Sequence, residues 1–141
     1  MEKIGKQFIA MKAFLVYGGK VLIIRESAER NRANAGFYDV TGGRVGIGEK
    51  FDDALSREIK EETGLEAKIG KPFFVGEWRP NVRGEQWQII GTYFECFTDS
   101  DKVKLDVEHD DFKWINPSEY ANYLLIENLK QVFEEYLSSR K

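Results

Sequence analysis

Three glutamates and a run of glycines hold most of the chemistry that can be read from this chain. Glu58, Glu61 and Glu62 lie in Phe51 to Thr63, a segment with helical apolar spacing, and Gly42, Gly43, Gly46 and Gly48 crowd the stretch before it. With residues placed at about 100° intervals from Phe51, Ala54 projects at about 300°, Leu55 at about 40° and Ile59 at about 80°. That arc should face a core. Asp52, Asp53, Ser56, Arg57, Lys60 and Thr63 occupy the remaining sector, as in an ordinary amphipathic helix. Glu58, at about 340°, and Glu62, at about 20°, instead fall inside the apolar arc, with Glu61 at its edge at about 280°.

An acidic run on a helix is ordinarily a solvated face, but here the spacing turns two acids inward. Carboxylates at i and i+4 sit about 6 Å apart and repel by about 3 kcal/mol at an effective dielectric of about 20. Arg57 projects about 100° from Glu58, so it is expected to pair with Glu61 or with a residue of the glycine loop rather than neutralise both inward acids. A bound divalent cation resolves the conflict. Carboxylate oxygens with positions left open for water and substrate phosphates are the usual way Mg²⁺ or Mn²⁺ is held.

The elements that must position these residues follow from the pattern on either side. Phe8 to Tyr17 and Val21 to Ile24 are rich in branched and aromatic residues around Gly18-Gly19, which predicts a β-hairpin. Glu26 to Gly36 reads as a surface loop leading to the short apolar segment Phe37 to Val40. The helix should end at Gly64. Ala67 to Trp78 and Gln86 to Phe97 predict two strands joined by the turn Pro80 to Gly84, and Phe112 to Ile115 a further strand. Asn116-Pro117-Ser118-Glu119 reads as a helix start with a capping-box glutamate. Leu125, Leu129, Val132, Phe133, Tyr136 and Leu137 then predict a closing amphipathic helix, with a possible break near Tyr123. The order implies a mixed sheet packed by helices, an α/β or α+β fold in one domain over 1–141.

Two phosphate-loop motifs fail on inspection. Gly43 and Gly48 have the outer spacing of a P-loop, but Glu49 stands where that loop needs lysine, and Phe51 stands where a dinucleotide fingerprint needs its third glycine. A longer pattern fits. Gly43, five residues, Glu49, seven residues and Arg57-Glu58-Ile59-Lys60-Glu61-Glu62-Thr63-Gly64-Leu65 resembles the Nudix box, residues 43 to 65, at every defining position. At residue frequencies of about 6% such a match arises by accident less than about once in ten million chains. The chain departs from many members in Tyr38-Asp39-Val40-Thr41 before Gly42-Gly43, where Pro-Gly-Gly after a tryptophan segment is common, and in Ile47.

The resemblance to the Nudix hydrolase (MutT-like) superfamily implies an α/β/α sandwich and metal-dependent hydrolysis of a nucleoside diphosphate linked to a group X. It implies that Glu58, Glu61 and Glu62 hold Mg²⁺, or Mn²⁺, together with a main-chain carbonyl at Gly43. Glu49 and Arg57 are similar to the pair that keeps loop and helix in register, and Arg25 to an arginine that touches substrate phosphate. Arg25, Arg30, Arg32 and Arg44 lie between Val21 and Gly48 with no lysine among them, and of these Arg25 and Arg44 are favoured for phosphate. A carboxylate must take the proton of the attacking water. Glu58 and Glu62 are candidates; within the acidic loop Asp106 to Asp111 the resemblance implies an extra glutamate, for which Glu108 is chosen, with His109 taken as structural or solvated. Phe37, Tyr38, Trp78 and Trp87 could stack on a base, although core or sheet packing is the commoner fate of such residues.

Composition bounds the alternatives. In 141 residues, 21 Lys+Arg against 24 Asp+Glu leave a net charge of -3, which argues against a dedicated duplex-DNA or polyanion binder. Apolar runs are too short for a membrane span, and one cysteine, Cys96, makes no internal disulfide, so a cytoplasmic monomer or homodimer acting on a small nucleotide derivative is expected. The competing readings are a non-catalytic nucleotide sensor that keeps the fold and an isopentenyl-diphosphate isomerase. The latter would need a catalytic cysteine, for which Cys96 is poorly placed.

Overall fold

The structure, a computed structural model, describes residues 4–27 and 34–140. The elements run β1 (Ile4–Tyr17), β2 (Lys20–Glu26), β3 (Tyr38–Asp39), β4 (Gly42–Arg44), α1 (Phe51–Thr63), β5 (Lys68–Trp78), β6 (Asn81–Val82), β7 (Glu85–Phe97), β8 (His109–Ile115), a short 3-10 helix (Pro117–Asn122) and α2 (Leu129–Ser139). The sheet is mixed. Its main path is β3-β2-β1-β7-β5, with β4 also on β1, β6 on β7 and β8 on β2. β1 runs parallel to β7 from Ile4 opposite Gln86 to Val16 opposite Phe97, and its other partners are antiparallel.

β1 is apolar on both sides because both sides are covered. Met11, Ala13 and Leu15 point to the face packed by Leu55 and Ile59 of α1, together with Phe94 and Cys96 of β7. Phe14 points to the opposite face, where Leu129, Val132, Phe133 and Tyr136 of α2 close over it. Its ring centroid lies 4.6 Å from Phe133, 4.9 Å from Tyr136 and 5.0 Å from Phe73. This is the α/β fold with a helix on each side of a curled sheet that the sequence implied. No helix among the described residues is long and apolar enough to cross a membrane.

The first hairpin turns at Gly18 and Gly19, both at positive φ, and sets Val16 opposite Val21. α1 has the expected bounds and ends on Gly64 at φ 75°. Part of the expected glycine loop is strand, since Gly42 to Arg44 pair with Ala10 to Lys12. The expected turn Pro80 to Gly84 also contains a strand, β6, and narrows to Arg83-Gly84, both at positive φ. β8 begins three residues before the expected Phe112, because the segment from His109 pairs along β2 as far as Glu26.

Three expectations need correction. The helix predicted at Asn116 is a 3-10 turn kinked at Glu119. Asn116 does cap it, accepting from the Ser118 amide, and it stops at Tyr123, where a break was foreseen. Leu125 is not in the closing helix: it lies in the segment before α2, buried and bridged to Tyr38. Thr63, assigned to the polar sector of α1, is fully buried because its hydroxyl donates to the Ile59 carbonyl (2.6 Å) and accepts from the Leu65 amide (3.1 Å), so no polar group is stranded.

Candidate active site

Gly42 allows β4 to approach β1 unusually closely. It sits at φ 133°, and a Cβ there would lie 2.3 Å from the Met11 carbonyl oxygen and 2.7 Å from the Lys12 Cα. The approach brings the Thr41 to Gly43 main chain against the last turns of α1. Glu62 there accepts from the Thr41 hydroxyl at 2.5 Å and from the Gly42 amide at 2.9 Å. Glu58 lies one turn earlier, its carboxyl carbon 2.8 Å from where a Gly43 Cβ would stand. Two acids on the core-facing side of a helix thus meet glycine main chain instead of apolar side chains, which is why the helix tolerates them.

Arg57 ties this helix to the loop that precedes it. Its Nε and one Nη donate to the two oxygens of Glu49 at 2.8 and 3.1 Å, a bidentate fork. The other Nη reaches Glu58 at 3.1 Å and Glu61 at 3.3 Å. Pairing with the loop and with Glu61 was expected. Contact with Glu58 was not, and it arises because the guanidinium spans more than the wheel angle of its Cβ. The Arg57 fork and the Gly46 amide hold the Glu49 carboxyl down at a pKa of about 2. Glu61 is the most open of the three acids, its side chain 56% exposed against 18% for Glu58, so only two of the three turn inward.

Burial lifts the Glu62 carboxyl to a pKa of about 7, against the opposing pull of Lys12, Thr41, Gly42 and His109. Lys12, almost fully buried, donates to Asp39 at 3.1 Å. Burial disfavours its ammonium form, but Asp39 and Glu62 outweigh that and its pKa rises. The turn before β8 brings further groups to Glu62. One donor atom each of Glu62, Asp106 and His109 all lie within 4.8 Å of one another, and His109 Nδ1 sits 2.6 Å from Asp106. The His109 side chain is 7% exposed, so it is not solvated. Glu108, preferred in this loop from the sequence, places its main-chain carbonyl on the Ser27 amide at 2.9 Å.

The remaining candidates are dispersed. Arg25 donates to Asp110 at 2.7 Å and lies over the Tyr38 ring. Tyr38 is buried and donates to Asp111, and burial followed by that bond pushes its phenol up to about 12. Arg44 stacks on Phe8, 3.7 Å from guanidinium carbon to ring centroid, with Trp87 5.0 Å away on the same side. Trp78 lies against Gly91, and Phe37 packs against the α2-side core. Arg30 and Arg32 lie outside the described residues. Cys96 is fully buried, which pushes its thiol up to about 12.

Lys12, Asp39 and Thr41 were not singled out from the sequence. A usable signal existed for Lys12, a lone charge in the middle of the apolar run Phe8 to Tyr17. His109 is marked as the chain's one histidine, but no comparable signal sets Asp106 apart from its acidic neighbours.

The donor set suits a hard divalent cation. Glu58 and Glu62 lie against Gly43 and Gly42, Glu61 is exposed on the same helix, and the three carboxylates offer only oxygen ligands. The nucleoside triphosphatase NudI of Escherichia coli K12 is 28% identical over 116 residues, which cover 77% of this chain and 82% of that protein. The crystal structure of a MutT protein from Methanosarcina mazei Go1 superposes with a TM-score of 0.81 at 26% identity, covering 99% of both chains. The NUDIX domain of Shewanella oneidensis NrtR, solved with ADP ribose, shares the fold at a TM-score of 0.74 and 15% identity, over 96% of this chain and 89% of that one. A NUDIX domain match spans residues 7–136 and so includes the strand with Lys12, the glycine loop, the acid-bearing helix and the turn before β8. By that span the chain belongs to the NUDIX domain family of hydrolases.

Proposed function

We propose that the chain hydrolyses a phosphoanhydride bond of a nucleoside diphosphate derivative, nucleoside triphosphates first and nucleotide sugars second, with Mg²⁺ held by Glu58, Glu61, Glu62 and the main-chain carbonyl of Gly43. The observation that carries this reading is the pair of inward carboxylates set against glycine main chain, with Arg57 and Glu49 locking the helix to the loop. The printed name of the Escherichia coli relative, a nucleoside triphosphatase, supports the order of substrates. When bound, the divalent cation would neutralise charge on the phosphate oxygens and favour ionisation of water.

The chain's own groups do the rest. Water attacks phosphorus, its oxygen forms the new P–O bond, and the bond to the leaving phosphate oxygen breaks. Glu62 or Glu58 takes the water proton. Arg25 and Arg44 can each present guanidinium N–H groups to phosphate while stacked on Tyr38 and Phe8. The state proposed is a monomer or a homodimer. The lone cysteine fits a cytoplasmic setting. An isomerase using Cys96 is disfavoured by the burial of that thiol.

The deciding experiment incubates the protein and Mg²⁺ with nucleoside triphosphates, ADP-ribose, nucleotide sugars and dinucleoside polyphosphates, and identifies products by mass spectrometry. Release of a nucleoside monophosphate, lost in Glu58→Gln, supports the reading. Binding without turnover across the whole panel would leave the sensor in its place.

A further inference from the structure

We propose that Lys12 is the site's resident counter-cation: its ammonium, anchored on Asp39, offsets the charge of Glu62 while no ion is bound, and an entering divalent cation takes that task over. Lys12 is thus a positioning residue, and the inference rests on the reading above only in that Glu58 and Glu62 receive the ion.

The charges around Glu62 are unevenly covered. Arg57 reaches Glu49, Glu58 and Glu61, and among the described residues its ion pairs do not extend to Glu62. The hydrogen-bond donors to Glu62, the Thr41 hydroxyl at 2.5 Å and the Gly42 amide at 2.9 Å, are both neutral. A buried carboxylate calls for a full positive charge nearby, and the fold brings one from β1. Lys12 is paired opposite Gly42, the residue whose amide holds Glu62, and a Cβ on Gly42 would lie 2.7 Å from the Lys12 Cα. The lysine side chain is 9% exposed, so its charge stays within the protein. Burial opposes the charged form of Glu62, and of the groups that favour it Lys12 acts most strongly, ahead of Thr41, Gly42 and His109. Burial likewise opposes the ammonium, which Asp39, Glu62 and, more weakly, Glu58 favour.

Asp39 sets where the ammonium stands. One of its oxygens accepts from the Val40 amide at 2.7 Å and the other from Lys12 at 3.1 Å, so the acid that fixes the lysine is itself fixed by main chain. Lys12 and Asp39 cancel formally, which leaves Glu62 as the surplus negative charge of the three. The ammonium therefore stabilises the ion-free protein without neutralising the site, and an attraction for a divalent cation remains. An ammonium and a divalent cation that share one carboxylate repel each other. Each then weakens what the other contributes, by the same free energy in both directions.

The test measures Mg²⁺ affinity by calorimetry and the urea midpoint in Mg²⁺ and in EDTA, on the untagged full-length chain. Lys12→Met should bind Mg²⁺ more tightly, by about fivefold or more, and its loss of urea midpoint in EDTA should shrink in saturating Mg²⁺. Lys12→Arg, which keeps the charge, should stay near the parent in both. Asp39→Asn releases the ammonium to Glu62 and should weaken Mg²⁺ binding by about fivefold or more, and it decides alone if Lys12→Met does not fold. A lysine with only a packing role would give equal midpoint losses in Mg²⁺ and in EDTA, and that result overturns the inference. So does weaker or unchanged Mg²⁺ binding in Lys12→Met, a Lys12→Arg that behaves like Lys12→Met, or unchanged or tighter binding in Asp39→Asn. Each of these results leaves the proposed function standing, because the parent still binds its ion. A parent chain that binds no Mg²⁺ removes both.

Discussion

Arg57 is the residue on which the site's order most depends, because one guanidinium bonds Glu49, Glu58 and Glu61 together. The consequence for pH can be read from Glu49, whose folded-state pKa of about 2 lies below its ordinary 4.5. A depressed carboxyl pKa adds stability above the unfolded value, and that contribution is lost as pH falls through the folded one. Urea unfolding between pH 5 and about 2 should therefore show a decline that is shallower in Glu49→Gln. At the same scale, Glu58→Gln keeps the shape of the side chain and removes its charge, so kcat should fall by about a hundredfold or more. Its melting temperature should change little, since the carboxyl rests on glycine rather than in the apolar core.

The β4 strand separates packing from chemistry within a few residues. Gly42→Ala puts a Cβ onto the main chain of β1 at a φ that alanine rarely adopts, and should cost about 2–4 kcal/mol in chemical denaturation. Gly43→Ala meets only the end of the flexible Glu58 side chain. That variant should fold nearly as well as the parent while Mg²⁺ affinity, measured by calorimetry, falls. Equal loss of stability in both variants would contradict the distinction.

For the whole molecule, two apolar layers and one proposed ion site set the stability. Phe133 is fully buried against Phe14 and stacks on Tyr120, so Phe133→Ala should lose about 3–5 kcal/mol, read as a lower urea midpoint. Mg²⁺ at a hundred times its Kd should add about 2.7 kcal/mol to stability. The rise in Tm should vanish on chelation and be absent from a Glu58→Gln/Glu62→Gln double variant.

The sequence alone determined the local features. Periodicity of Phe51 to Thr63 placed α1 and showed that Glu58 and Glu62 conflict with its apolar arc, and Gly18-Gly19 marked the first turn, because these signals lie within one or two turns of chain. The resemblance of residues 43 to 65 to the Nudix box then pointed to the family that the match over 7–136 shows. Tertiary structure decided what depends on partners distant in sequence. Lys12 meets Asp39 only because β1 and β3 converge on the same site, Thr63 is buried by its packing despite its place on the wheel, and Leu125 belongs to a bridge rather than to α2. Asp106 and His109 reach Glu62 through a bulge in the β2–β8 pairing. A bulge changes which face a side chain occupies through a register shift between separate strands, and no spacing within either strand records that shift.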